Sequence, residues 1–342
     1  MKLSRRHFVA GAATAPVLVQ LSTRTAAAQD AASNAGSQGA SAGSGASTRQ
    51  QILPIQRISA GDNIVTAISD GYLDISLDLL SNIDASEATD ILASKFQGEQ
   101  PVTTGINAYV VEAGDRLVLI DTGGAGAFPE MGNLKDRLGA AGFDAAAITD
   151  VIMTHLHPDH VGGLVLDGEL AYPNADVHVH QTEYDYWTSM ENRDAAPESA
   201  RGFFDTARTA METAGDKVKT FTGETEVVPG ITSRELFGHT PGHTGYMIGE
   251  GEDGLFVWGD IVHVGPIQFA RPEVGIAFDA NPEQAIETRK QVLEDVASNR
   301  TRIAGMHIAF PSFGHVVASN GEGEAYRFIP SDWQYQFGAS NG

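Results

Sequence analysis

The chain has 342 residues, 42% of them hydrophobic and 19% charged, the composition of a globular protein long enough to bury a sizeable core. Its 22 Lys and Arg against 44 Asp and Glu leave a formal charge of −22, which repels phosphate backbones and anionic lipid and argues against nucleic acid or a membrane surface as partner. Cysteine is absent, so disulfides, thiolate zinc sites, iron–sulfur clusters and a cysteine nucleophile are excluded, and any metal must be held by His, Asp or Glu.

Residues 1–28 read as an export signal. Arg5 and Arg6 precede an apolar run from Val9 to Leu21, which is too short to span a bilayer and ends near the small residues Ala26-Ala27-Ala28. Ser4, Arg5, Arg6 and Phe8 resemble a twin-arginine signal, whose substrates are exported already folded. An ordinary secretory signal would use the same charges and cleavage pattern. Either one predicts a periplasmic or secreted protein with no membrane span in its mature form. Residues 29–50 read as a flexible linker, since 15 of the 18 residues from Ala31 to Thr48 are Ala, Ser or Gly. The folded domain is expected over 51–342.

Within it, Asn63–Ser69 reads as a strand closed by an Asp70-Gly71 turn, and Ile106–Glu112 with Arg116–Ile120 as a hairpin. Leu134–Ala141 has a helical pattern. Strands are expected at 151–153, 177–179, 245–248, 255–258 and 302–306. A helix is predicted over 282–298, capped by Asn281, with Pro282 in its first turn and Gln284 as capping-box partner. Strands interspersed with helices and hairpins point to an α+β fold of sheets covered by helices.

The chemistry concentrates in Thr154-His155-Leu156-His157-Pro158-Asp159-His160, directly after an apolar strand. Four potential ligands so close together, without cysteine, suit a borderline N/O metal such as zinc, manganese, iron or cobalt. Further donors follow at strand ends or turns: His239 and His243 in a Gly/Pro turn, Asp260 after Leu255–Trp258, and His307 after Arg302–Met306. His178 and His180 alternate with valines and read as hydrogen-bonded or solvent-facing. Spacing does not place His263 or His315.

With Ile68–Gly71, Leu119–Gly123, Val228–Ile231, Gly259-Asp260, Gly305–His307 and Tyr326–Pro330, these motifs resemble the metallo-β-lactamase superfamily over roughly residues 60–335. They are most similar to its methyl parathion hydrolase group of secreted organophosphate hydrolases. The resemblance implies an αββα sandwich with two divalent ions, expected to be zinc. It assigns His155, His157 and His243 to one ion, Asp159, His160 and His307 to the other, and Asp260 as the bridge. It leaves His239 as a turn residue and gives Asp121 the part of orienting a ligand histidine. Asp260 and Asp159 are the carboxylates expected to serve catalysis, and Phe128, Trp187 and Phe203 align with aromatic positions that line the substrate pocket.

A water shared by two ions becomes a hydroxide near neutral pH and can attack carbonyl carbon or phosphorus. The resemblance implies a small neutral ester as substrate: a phosphotriester of the methyl parathion type, or, as the alternative, a lactone or aryl ester, including acyl-homoserine lactones. A non-catalytic periplasmic binding module is a further alternative, which the full set of ligand positions disfavours. A homodimer is implied only by the resemblance.

Overall fold

The computed structural model describes residues 53–98, 101–319, 321 and 323–336. The export segment and linker read at 1–50 lie outside them. Two seven-stranded sheets dominate, and each takes its strands in chain order. The first runs Ile55–Ala60, Asn63–Ile75, Val102–Ala113, Arg116–Ile120, Asp150–Ile152, Asp176–His180, Val218–Phe221. Its first four strands are antiparallel neighbours and the rest pair in parallel. The second runs Glu226–Val228, Ile231–Glu235, Thr244–Ile248, Leu255–Val257, Arg302–Ala304, Phe313–Ala318, Tyr326–Pro330, with a parallel pair only at its centre.

The sheets pack face to face. Ile58, Val65, Tyr109, Val111 and Ile120 of the first meet Ile231, Tyr246, Ile248, Val257 and Phe313 of the second in one buried layer. The outer face of the first sheet is covered by Leu134–Ala140, Gln181–Thr188 and Glu198–Ala214 through Leu134, Leu138, Trp187, Phe204 and Met211. Pro282–Ser298 covers the second through Val292, Leu293 and Val296. The result is the expected α+β, αββα sandwich.

Local chemistry explains most elements. Gly114, at φ +62°, makes the two-residue turn between Val102–Ala113 and Arg116–Ile120. The Asn281 side chain accepts from the Gln284 amide at 3.2 Å and starts the last helix. Sequence reading places no helix between 181 and 214, where the structure has three: 181–188, 190–195 and 198–214. Glu198–Ala214 buries Phe204, Ala207, Met211 and Ala214 on one face, but the small alanines blur the stripe.

The Asp70-Gly71 turn is corrected. The strand continues to Ile75, and its register slips between Ser69 and Gly71. A Cβ on Gly71 would collide with the Glu130 carbonyl, so glycine lets loop 123–133 lie against the strand. Asp70 then binds that loop: its Oδ2 accepts the Gly124 and Gly132 amides, each at 2.9 Å, and its Oδ1 the Leu134 amide at 2.7 Å. No helix among the described residues is long and apolar enough to cross a membrane.

Candidate metal centre

The site lies where loops leave the carboxyl ends of central strands in both sheets. Asp121 follows Arg116–Ile120, His155–His160 follow Asp150–Ile152, Asp260 follows Leu255–Val257, and His307 follows Arg302–Ala304. His157 is the N-cap of a one-turn helix, Pro158–Val161, which turns Asp159 and His160 back toward the cluster. His155, His157, His160, Asp260 and His307 are buried, and Asp159 is partly exposed.

Three ring nitrogens meet on one side. His157 Nδ1 is 3.1 Å from His155 Nε2 and 3.0 Å from His239 Nε2. Beside them, Asp260 Oδ2 is 2.9 Å from His307 Nε2, 3.1 Å from His263 Nε2, 3.3 Å from His239 Nε2 and 3.7 Å from His155 Nε2. Asp159 Oδ2 stands 3.4 Å from His160 Nε2 and 3.5 Å from His307 Nε2.

The histidine His243, assigned by resemblance to the first ion, is placed elsewhere, and His239 stands in its stead. His243 Nδ1 donates to the Leu236 carbonyl at 2.9 Å, and its Nε2 accepts the Asp260 amide at 2.9 Å. Both nitrogens are used, so the ring braces the Asp260 backbone. Gly259, at φ +59°, makes this possible, because a Cβ there would collide with His243 Nε2. His239 Nδ1 lies 2.9 Å from Asp279 Oδ1, a contact that points its Nε2 inward. The signal that identifies His239 is thus a carboxylate forty residues later, beyond any local spacing rule.

The same polarity holds for other donors. His160 Nδ1 lies 2.7 Å from Asp121 Oδ2, while Asp121 Oδ1 accepts the Thr154 amide at 2.7 Å. His307 Nδ1 donates to the Gly105 carbonyl at 2.9 Å. Thr154 Oγ1 lies 3.1 Å from His155 Nδ1. With each Nδ1 engaged, the Nε2 atoms of His155, His160, His239 and His307 face one another and the Asp260 and Asp159 carboxylates. Ring nitrogens and carboxylates so close need cations among them, either protons or metal ions. His160 Nε2 and Asp260 Oδ1 are buried without a hydrogen-bond partner, 3.4 Å apart. This donor set fits divalent metal ions.

Protonation follows the same logic. Burial, with neighbouring imidazoles, pushes His155 and His157 well below the ordinary histidine range, which keeps their nitrogens free to bind metal. Burial opposes the His160 cation, yet Asp260, Asp159 and Asp121 hold its pKa well above that range. His239 rises to about 9 against burial because Asp260 and Asp279 flank it. Burial lowers His243 to about 3.

Of the three aromatic pocket positions, Phe128 and Phe203 line a narrow cavity of about 40 Å³ over the cluster, together with Leu73, Ile75 and Phe278. Trp187 does not line it. Its indole packs behind His157, with ring centroids 5.2 Å apart, and donates to Glu183 Oε1 at 2.7 Å. Glu183, which sequence reading passes over, is fully buried; its Oε1 also accepts the Leu156 amide at 3.0 Å and its Oε2 the Gly242 amide at 2.8 Å. It ties the His155–His160 loop to the His239–His243 turn. His263 is drawn into the site. His178 pairs with Asp150 at 2.8 Å and His180 with Glu235 at 3.2 Å, both outside it, and His315 lies opposite Arg302 in the second sheet.

Known proteins share this fold. A crystal structure described as hydrolase AbOPH in the β-lactamase superfamily is 32% identical, covering 83% of this chain and 100% of that one, with TM-score 0.78. AidC, a dizinc quorum-quenching lactonase solved with the product N-hexanoyl-L-homoserine, is 26% identical over 82% of this chain and 99% of its own, with TM-score 0.76. The atrochrysone carboxyl ACP thioesterase of Passalora fulva is 37% identical over 81 residues, so the chain spans only 23% of that relative's length. The family model described as metallo-β-lactamase superfamily matches residues 102–307, the stretch that carries every donor of the cluster. The chain belongs to the metallo-β-lactamase superfamily of metal-dependent hydrolases.

Proposed function

We propose that the protein is an exported, dinuclear metal hydrolase that opens lactones or closely related neutral esters. The observation that carries the reading is the convergence of inward-facing Nε2 atoms and the Asp260 carboxylate under a narrow, apolar, phenylalanine-walled slot. His155, His157 and His239 would hold one ion, and Asp159, His160 and His307 the other, with Asp260 between them. Divalent ions bound there supply Lewis acidity and an activated water. The protein's own residues do the rest. Asp279, Asp121 and the Gly105 carbonyl fix the orientation of three ligand histidines. Glu183 holds the two ligand loops in register, and Phe128 and Phe203 exclude bulk water from one wall.

The lactone is preferred because the slot is tight and because AidC, of the same architecture, is described with a lactone hydrolysis product. A phosphotriester with an aryl leaving group is the second reading, favoured by the three phenylalanines of the slot. The test is kcat/KM of the metal-quantified protein on N-hexanoyl-homoserine lactone and on methyl parathion. A lactone value at least tenfold higher supports the proposal, and the reverse ratio replaces it by the second reading. No turnover of either with two ions bound removes both.

A further inference from the structure

A second cavity, about 300 Å³, shares His263 and His307 with the slot over the metal cluster. The two imidazoles stack at 5.2 Å, and the Thr104 hydroxyl lies 2.7 and 2.6 Å from their carbonyl oxygens. His263 Nδ1 is buried with no hydrogen-bond partner. Val102, Val264, Phe269, Ile308 and Phe328 supply the apolar part of the walls.

The polar lining is unlike the rest of the molecule. The chain carries twice as many acidic as basic residues, yet among the described residues no Asp or Glu lines this cavity, whereas Lys95 and Arg327 both do. Lys95 is ion-paired with Glu324. Burial and the nearby charge of Arg327 lower its pKa. Arg327 is exposed and has no ion-pair partner among the described residues. At this end of the chamber Lys95 is offset by Glu324 while Arg327 is not, which leaves one uncompensated guanidinium beside a chamber of the size that holds small molecules.

We infer that this cavity binds an amphipathic monoanion, a medium-chain carboxylate whose head group meets Arg327 and Lys95 while its chain lies along the apolar walls toward His263 and His307. Each methylene moved from water onto those walls tightens binding about fourfold, and the head group selects the anion from an alcohol of equal length. The inference goes beyond the proposed hydrolysis and does not depend on which ester the metal centre cleaves.

The experiment is calorimetric titration of the metal-loaded protein with octanoate and with octanol, read without turnover. Octanoate is expected to bind about tenfold more tightly. The Lys95→Ala/Arg327→Ala double variant should erase that margin and leave octanol binding unchanged. Gly265→Leu adds bulk to the chamber wall from a position where the Cβ itself is in ordinary contact with Phe269, at 3.5 Å, and should weaken both probes at least tenfold. Octanoate held by the metal ions instead would be indifferent to both variants, and that result overturns the inference, as does equal affinity for the two probes. Because lactone hydrolysis is scored separately, an inactive protein that still shows this pattern sinks only the proposed function.

Discussion

Two histidines share the turn Gly238–Thr244, and their ring environments separate their roles. His239 has one nitrogen on Asp279 and the other on the cluster; His243 has both nitrogens on backbone. His239→Ala should therefore lose about one metal equivalent per chain by elemental analysis, with hydrolysis falling at least a hundredfold. His243→Ala should keep both equivalents and lose stability, about 1–3 kcal/mol, by stranding the Asp260 amide. Asp279→Asn should weaken metal binding ten- to a hundredfold, as read by competition with a chelator. At this scale the sequence was partly legible. The run His155–His160, Asp260 and His307 stand out because ligand types cluster or end apolar strands. The choice between His239 and His243 depends on Asp279 and on the positive φ of Gly259, which no local pattern encodes. The same is true of Trp187, an aromatic that packing turns into core.

Elements rather than single ligands position the slot. The bulge at Ser69–Gly71 and the Asp70 carboxylate together anchor the loop that carries Phe128. Asp70→Ala leaves three backbone amides without their acceptor. We expect a stability loss of about 2–4 kcal/mol in denaturant unfolding, and a rise in KM larger than the fall in kcat, because the loop borders the substrate and holds no metal. Sequence reading takes Asp-Gly for a chain reversal since that dipeptide favours turns. Here the glycine serves close approach and the aspartate serves a distant loop, so the strand runs through. The end left out, 71–75, still alternates, with Tyr72 and Asp74 exposed, so the dipeptide and not a lost alternation is why Asn63–Ile75 reads short. The helix at 282–298, with a local cap and one buried face, is legible because its signals are contained within it.

For the whole molecule, acid stability has a defined contributor in the first sheet. Burial opposes ionisation of Asp150, yet hydrogen bonds from His178, Arg116 and Thr149 hold its carboxyl at about 2. A carboxyl lowered in the folded state stabilises above its unfolded pKa, near 4, and that contribution fades as pH falls toward 2. Asp150→Asn should flatten the acid limb of the stability curve between those values by on the order of 1–2 kcal/mol, measured by urea unfolding at several pH values. Removal of metal acts at all pH values where the ions bind. Chelation should lower Tm in calorimetry, and restoring divalent ions should recover it in a concentration-dependent way.

Each sheet takes its strands in chain order, so residues up to about 221 complete one and residues from about 226 the other. Most pairings then join near neighbours along the chain, and the first sheet can assemble while the second is still being synthesised. The donors are divided between the halves: His155, His157, Asp159 and His160 emerge early, while His239, Asp260 and His307 emerge late. The completed cluster is a clasp across the two halves rather than a property of either. His307 follows the central strands of the second sheet, so full metal capture reports that both halves have been made and have docked.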